Sequence, residues 1–256
     1  MAVDTFLLLV VAGLAAGLSG SMAGLASLFS YPALLAVGLP ATAANVTNTV
    51  ALAFSSAGAT AGSRPELVGQ GASVRRYALV SVVGGAVGAG LLLLTPPGAF
   101  ERIVPFLVGA AALLLLVQPR LRWAARPATE QPDEPGRAHP GVLGGVLAVA
   151  VYGGYFGAAA GVLMLALVLV GLPVSLLRAN ALKQVLTGLA NGVAALGFAV
   201  FGPVAWWAVL PLAIGLLVGS WTGPAVARRL PATALRIGIA VAGLALAVSL
   251  GVQAYQ

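Results

Sequence analysis

The residues best suited to chemistry are polar side chains that interrupt a strongly apolar stretch near residue 180. Asn180, Lys183, Thr187 and Asn191 are spaced so that all four share one face of a helix, and Gln184 follows the lysine. This face offers amide and hydroxyl donors beside one ammonium group, a combination that suits a small anion. The alternative is that Lys183, close to the start of its predicted helix, extends to a membrane surface as an anchor.

A related set of polar residues occurs in the first half of the chain. The phrase A-N-x-x-[NK]-x-V covers Ala44–Val50 and again Ala179–Val185, and its first copy supplies Asn45, Asn48 and Thr49. We predict that both sets face one anion-binding site. Hydrogen bonding between helices is the alternative role for the asparagine that opens each phrase. The only carboxylates of the predicted membrane segments, Asp4 and Glu101, lie at segment ends, so inside the membrane a cation would find only carbonyl and hydroxyl oxygens.

The elements that carry these residues are predicted to lie in a lipid bilayer. Of the 256 residues, 60% are hydrophobic and only 7% are charged, whereas soluble domains carry about 25% charged residues. We therefore predict an all-α polytopic membrane protein, in which helices of about 20 residues account for most of the chain. Ten hydrophobic segments lie at about 4–19, 22–38, 43–62, 75–95, 101–118, 141–155, 157–172, 179–201, 204–223 and 234–253.

The two halves of the chain repeat each other. A pair of glycines and a following Gly-Leu-Pro sequence in the first half recur at the same spacing in the second half. The connection between the halves is rich in proline and arginine, which favours an extended or disordered cytoplasmic segment. We divide the chain into a first membrane repeat at 1–118, a linker at 119–140 and a second membrane repeat at 141–256.

The first two segments of each repeat are short and meet at the repeated glycines. These pairs are Gly20 with Gly24, and Gly153 with Gly157. Interrupted segments at matching positions in two repeats are typical of transporters whose broken or re-entrant helices surround a binding site. Gly24 and Gly157 are therefore site candidates, because helix N-termini beside them could present N–H groups to an anion. Close packing between helices is the alternative role for such glycines.

The arginines predict that the two repeats are inserted in opposite orientations. In the first repeat they follow the third segment, whereas in the second repeat Arg228 and Arg229 follow the fourth segment. Positively charged loops face the cytoplasm. Because the arginine-rich loop comes one membrane crossing later in the second repeat than in the first, the second repeat is predicted to be inverted. Five segments in each repeat then place both termini outside. The alternative is that the charges fall in these short loops by chance.

Composition excludes several classes of site. The chain has no cysteine, and its single histidine, His139, lies in the linker, which disfavours bound metals and thiol chemistry. Since paired carboxylates are also missing from the segments, we predict no metal, no cofactor and no enzymatic activity. The net charge of +7 resides mainly in loop arginines, so we predict contact with a lipid bilayer and none with nucleic acid. A homodimer is compatible with the sequence.

Four stretches carry a resemblance to a known family. They are Asn45–Val50, the run YGGYFGAAAGVLMLAL at Tyr152–Leu167, the phrase N-A-L-K at Asn180–Lys183, and P-A-x-x-L-R at Pro231–Arg236. In this order and spacing they resemble the TauE/SafE sulfite-exporter family over essentially the whole chain. The resemblance implies outward transport of sulfite, organosulfonates or related sulfur-containing anions across the bacterial cytoplasmic membrane.

The scarcity of titratable groups in the segments also bears on the transport mechanism. Proton relays in membranes use Asp, Glu or His, so we expect the anion to move down its own gradient or to carry the proton itself. A negative-inside potential, worth about 2.3 kcal/mol per charge per 100 mV, favours anion exit. We therefore expect efflux of a small anion, and the family resemblance implies that this anion contains sulfur. A carrier for another small organic anion and an anion channel are the alternatives.

Overall fold

The computed structural model describes residues 2–124, 140–227 and 232–255, and every regular element in these ranges is an α-helix. The predicted all-α fold is confirmed. The helices are α1 (Val3–Ala23), α2 (Ser27–Ala36), α3 (Ala41–Gly62), α4 (Arg64–Leu67), α5 (Gly71–Leu94), α6 (Pro97–Ala124), α7 (Pro140–Tyr155), α8 (Ala160–Gly171), α9 (Leu176–Phe201), α10 (Trp206–Ala227) and α11 (Ala232–Tyr255).

Within the described ranges, four helices are long and apolar enough to cross a membrane, namely α1, α5, α6 and α9. Shorter apolar helices accompany them, including α2 and α8. The 10 residues of α2 and the 12 residues of α8 extend about 15–18 Å. This length is roughly half of a hydrocarbon core about 30 Å thick. Neither helix crosses such a core alone, as expected for interrupted segments.

A glycine in the left-handed conformation follows the first helix of each half. Gly24 has φ +75°, and its N–H donates to the carbonyl of Gly20 at 2.9 Å. Gly157 has φ +76° and follows α7. Glycine adopts this conformation readily because it has no Cβ. The break falls at Gly24 itself, so α1 continues through Gly20 and is longer than the predicted segment at 4–19.

Further glycine pairs allow helices from the two halves to pack closely. Gly84 and Gly88 of α5 lie against α7, while Gly215 and Gly219 of α10 lie against α1. A methyl group at any of these four positions would collide with the neighbouring helix. These repeated glycines therefore serve helix packing. The pairing of α5 with α7 is matched by the pairing of α10 with α1, the corresponding helices of the other half.

The packing directions of the helices are compatible with inverted repeats, an arrangement that stays a prediction. The last helices of the two halves, α6 and α11, run antiparallel, because Gly109 lies beside Ala247 and Gly243 beside Ala112. By contrast, α1 runs parallel to α10, and α5 runs parallel to α7. Equivalent helices of an inverted pair run in opposite directions, which agrees with α6 and α11. The orientation of the halves across a membrane stays a prediction.

The boundary regions differ in part from expectation. Helix α6 continues to Ala124 and so extends past the predicted start of the linker at residue 119. Residues 125–139, including His139, lie outside the described residues, as do Arg228 and Arg229. The predictions made for these positions concern parts of the chain that the structure does not describe.

Candidate functional site

The two helix breaks and three long helices enclose a small cavity of about 60 Å³. The break after α1, the break after α7, and helices α3, α9 and α10 all contribute lining residues. Both halves of the chain therefore contribute to it. Its lining residues are Gly20, Ser21, Gly24, Ala26, Ser27, Leu52, Ser55, Ser56, Ala59, Gly157, Ala160, Gly161, Lys183, Gln184, Thr187, Asn191 and Ser220.

Helix α9 contributes the polar face that its sequence spacing predicted. Lys183, Gln184, Thr187 and Asn191 all line the cavity. Lys183 is only 1% exposed, so its side chain lies inside the protein and does not extend to a membrane surface. The hydroxyl of Thr187 donates to the carbonyl of Lys183 at 2.7 Å. The cavity thus receives one buried amine, two amide side chains and a hydroxyl from a single helix.

The two breaks meet each other at the cavity wall. Gly24 packs directly against Gly161, and an added Cβ on Gly24 would lie 2.8 Å from the carbonyl carbon of Gly161. Ser27 opens α2 and Ala160 opens α8, and both line the cavity. The N-terminus of a helix carries partial positive charge. Two such ends border the space beside Lys183.

Side-chain and backbone hydrogen bonds hold the second break in place. The Asn45 amide donates to the carbonyl of Tyr155 at 2.8 Å, and the Tyr152 hydroxyl donates to the carbonyl of Ala158 at 2.6 Å. Ala159 has φ +60°, a conformation that residues with a side chain seldom adopt. Helix α3 is thereby tied to the end of α7, which positions Gly157 at the cavity.

Four of the predicted site residues do not line the cavity: Asn45, Asn48, Thr49 and Asn180. The first three are buried in α3, and the hydroxyl of Thr49 donates to the backbone carbonyl of Asn45 at 3.0 Å. Asn180 is half-buried in the first turns of α9. The part of α3 that reaches the cavity is instead the following stretch, with Ser55 and Ser56.

Comparison with known proteins agrees with this architecture. The chain matches the family described as Sulfite exporter TauE/SafE over residues 9–250. The protein belongs to the TauE/SafE family. It is also 30% identical over 247 residues to a "Probable membrane transporter protein ORF9" of Sinorhizobium sp., with 94% of this chain and 90% of that relative covered. No solved structure matches the chain. The predicted family is confirmed, and the protein is a multi-pass membrane transporter.

The described lining of this TauE/SafE cavity carries a positively charged side chain and no negatively charged one. Among the described residues that line it, Lys183 is the one charged residue, and Asp and Glu are both missing. Across the described ranges, no group of three or more His, Cys, Asp or Glu side chains could hold a metal ion. The remaining polar lining consists of hydroxyls and side-chain amides. Such a surface can donate hydrogen bonds to an anion, and it offers a cation no carboxylate ligand.

Sequence reasoning missed several lining residues of the TauE/SafE cavity. Ser27 and Ser220 lie in largely apolar helices, where serine commonly bonds its own backbone. In the structure, the Ser55 and Ser220 hydroxyls hydrogen-bond each other and so connect α3 to α10 across the halves. Gly161 was also missed, although its position in the second glycine-rich run was a usable signal.

Proposed function

We propose that this transporter exports a small sulfur-containing oxyanion, sulfite being the best fit, through the cavity between its two halves. The observation that carries this proposal is the buried Lys183 in a cavity whose described lining residues include no carboxylate. The positive charge of the Lys183 ammonium group favours an anion over a cation in the cavity.

The size of the cavity supports a small substrate. A volume of about 10–15 Å³ on this measure holds one water-sized atom, so a cavity of about 60 Å³ holds roughly four or five. Sulfite has four non-hydrogen atoms and fits this limit. Organosulfonates with a longer organic part would need the surrounding helices to move apart. We therefore expect the transport rate to fall as the organic part of the substrate grows.

The chemistry of the lining supports an oxyanion in particular. Sulfite presents three oxygens, each of which accepts hydrogen bonds. Gln184, Asn191 and Ser27 carry side-chain donors in the lining, and the starts of α2 and α8 bring the positive ends of two helices to it. Donors that converge from both halves would hold an anion at the point where the halves meet, the expected place for a substrate in a repeat-built transporter.

The proposed mechanism is alternating access by two inverted repeats, residues 1–118 and 141–256, joined by a cytoplasmic linker at 119–140. Each half would tilt against the other around the bound anion. The halves separate at contacts such as the Ser55–Ser220 hydrogen bond. We place the protein in the bacterial cytoplasmic membrane with both termini outside. The negative-inside potential then drives the anion outward.

The proposal is tested by counterflow in proteoliposomes that contain the purified protein. Vesicles are loaded with unlabelled sulfite and diluted into labelled sulfite, and the transient accumulation of label is followed. A carrier predicts an overshoot that saturates with sulfite concentration. Methanesulfonate, taurine and acetate are then added as competitors, and inhibition should decline with size from methanesulfonate to taurine.

Two outcomes would replace the proposal with an alternative. Stronger competition and overshoot with acetate than with sulfite would make the protein a carrier for small organic anions. Sulfite flux that shows no saturation and no overshoot, together with unitary currents in a planar bilayer, would make it an anion channel.

A further inference from the structure

A second, larger cavity of about 310 Å³ lies between α3 and α9, and we call it the lateral groove. The α3 side of the groove carries Ser56 and Thr60, and Arg64 follows at the start of α4. These three residues are spaced four apart and form a polar line along one wall. The α9 side carries Val185, Gly188 and Leu189 and is apolar. The groove therefore pairs a polar wall that ends in a cation with an apolar wall.

The lateral groove adjoins the central cavity. Ser56 lines both spaces, so the two spaces meet at this residue of α3. On α9, residues 184 and 187 line the central cavity while residues 185, 188 and 189 line the groove. The two spaces thus lie on adjacent faces of the same helix.

A glycine keeps the lateral groove open. A Cβ added at Gly188 would lie 3.3 Å from the Ser56 Cβ and 3.8 Å from the Thr60 hydroxyl. Any larger side chain at this position would therefore extend into the groove between Ser56 and Thr60. At Gly192, one turn further along α9, an added Cβ would meet nothing within 4 Å. The two glycines offer a matched pair of positions, one inside the groove and one in open space.

We propose that the lateral groove is the path by which the substrate anion passes between the central cavity and the membrane face that carries Arg64. The proposal rests on the proposed function, since it needs an anionic substrate. Arg64 is exposed, and an exposed cation at the mouth of a groove raises the local concentration of anions. Thr60 and Ser56 then offer successive hydroxyls, while the apolar α9 wall keeps the anion from binding too strongly to leave.

The path is tested by thiol labelling, because the chain contains no cysteine of its own. A Thr60→Cys variant in proteoliposomes is exposed to an anionic and to a cationic water-soluble thiol reagent. Each rate is divided by the rate of the same reagent with a free thiol. We expect Thr60→Cys to react with both reagents, and roughly fivefold faster with the anionic one because of Arg64. Adding Arg64→Gln should remove this preference.

The labelling control is Leu196→Cys, which is 70% exposed on the outer surface of the same apolar helix α9. Lipid should cover this position and prevent its reaction with either reagent. If Thr60→Cys is as unreactive as Leu196→Cys, then lipid fills the groove and the proposed path is refuted. If Thr60→Cys reacts but Arg64→Gln leaves the anionic preference unchanged, Arg64 has no part in capturing the anion and the proposal is overturned in that respect.

A steric block tests whether substrate uses the path. Gly188→Leu should remove most of the sulfite flux while the equilibrium Kd for sulfite stays unchanged, and Gly192→Leu should transport like the wild type. Normal flux in Gly188→Leu would refute the path. If the wild type itself moves no anion, the proposed function fails, and the labelling result still decides whether the groove is an aqueous route that selects for charge.

Discussion

The replacement of Lys183 by methionine should separate substrate affinity from stability. Lys183 is 1% exposed and lines the central cavity together with uncharged donors. Methionine has a similar length and flexibility, so it fills the volume of the lysine stem. The variant removes the ammonium group with little change to packing. The folded state should therefore survive, and the loss should fall on anion binding.

The expected magnitude follows from the hydrogen bond between an ammonium group and an anion. Hydrogen bonds to charged groups contribute about 1.5–3 kcal/mol, which corresponds to a Kd raised roughly 10-fold to 150-fold. A substitution that conserves core volume usually changes the free energy of unfolding by less than about 1.5 kcal/mol. The variant also removes a charge that is costly to bury. We therefore expect a large change in Kd and a small change in Tm.

The assay is sulfite binding to purified protein by titration calorimetry, with Tm measured on the same samples. Arg178→Gln is the matched control, because Arg178 is exposed on α9 and does not line the cavity. It removes one positive charge from the same helix and should leave Kd nearly unchanged. The reasoning is refuted if Lys183→Met binds sulfite as tightly as the wild type, or if Arg178→Gln weakens binding as much as Lys183→Met.

Three further predictions concern the elements that position the site. Gly161→Ala should lower Tm by an amount that corresponds to about 1–3 kcal/mol, because its Cβ would lie 2.9 Å from the Cα of Gly24. Gly192→Ala is the control. Equal Tm values for the two variants would contradict the close packing of the two helix breaks. Asn45→Ala should cost about 1 kcal/mol of stability by removing the hydrogen bond to the Tyr155 carbonyl, and a Kd for sulfite raised as much as in Lys183→Met would instead make Asn45 a ligand. Ser55→Ala and Ser220→Ala should be coupled by about 0.5–3 kcal/mol in a double-mutant cycle of unfolding, and strictly additive effects would show that this contact between the halves contributes nothing.

The fold could largely be predicted from the sequence because the strongest signals are physical necessities of a membrane. Long apolar stretches must form helices in lipid, and the repeated glycines mark the places where helices end or pack closely. The end of α1 was less predictable. Gly20 and Gly24 are equally plausible break points in the sequence, and the left-handed conformation occurs at Gly24.

The candidate site could be predicted in part, for a reason that lies in the inexact repeat. On α9, helical spacing alone predicted the face with Lys183, Thr187 and Asn191. On α3 the recurring phrase suggested Asn45 and Asn48, which the structure places away from the cavity. The recurring phrase therefore lines the cavity on α9, whereas on α3 a later turn does so. Residue spacing within one helix does not reveal how far that helix is shifted along its neighbour.

The measurement that most directly tests the central claim is sulfite efflux from proteoliposomes under an imposed membrane potential. The account predicts saturable efflux that speeds up when the vesicle interior is made negative, slows when the potential is reversed, and falls sharply in Lys183→Met. Efflux no faster than from protein-free vesicles would contradict the proposed substrate. Equal efflux from the wild type and Lys183→Met at low sulfite concentration would contradict the role of Lys183 in binding the anion.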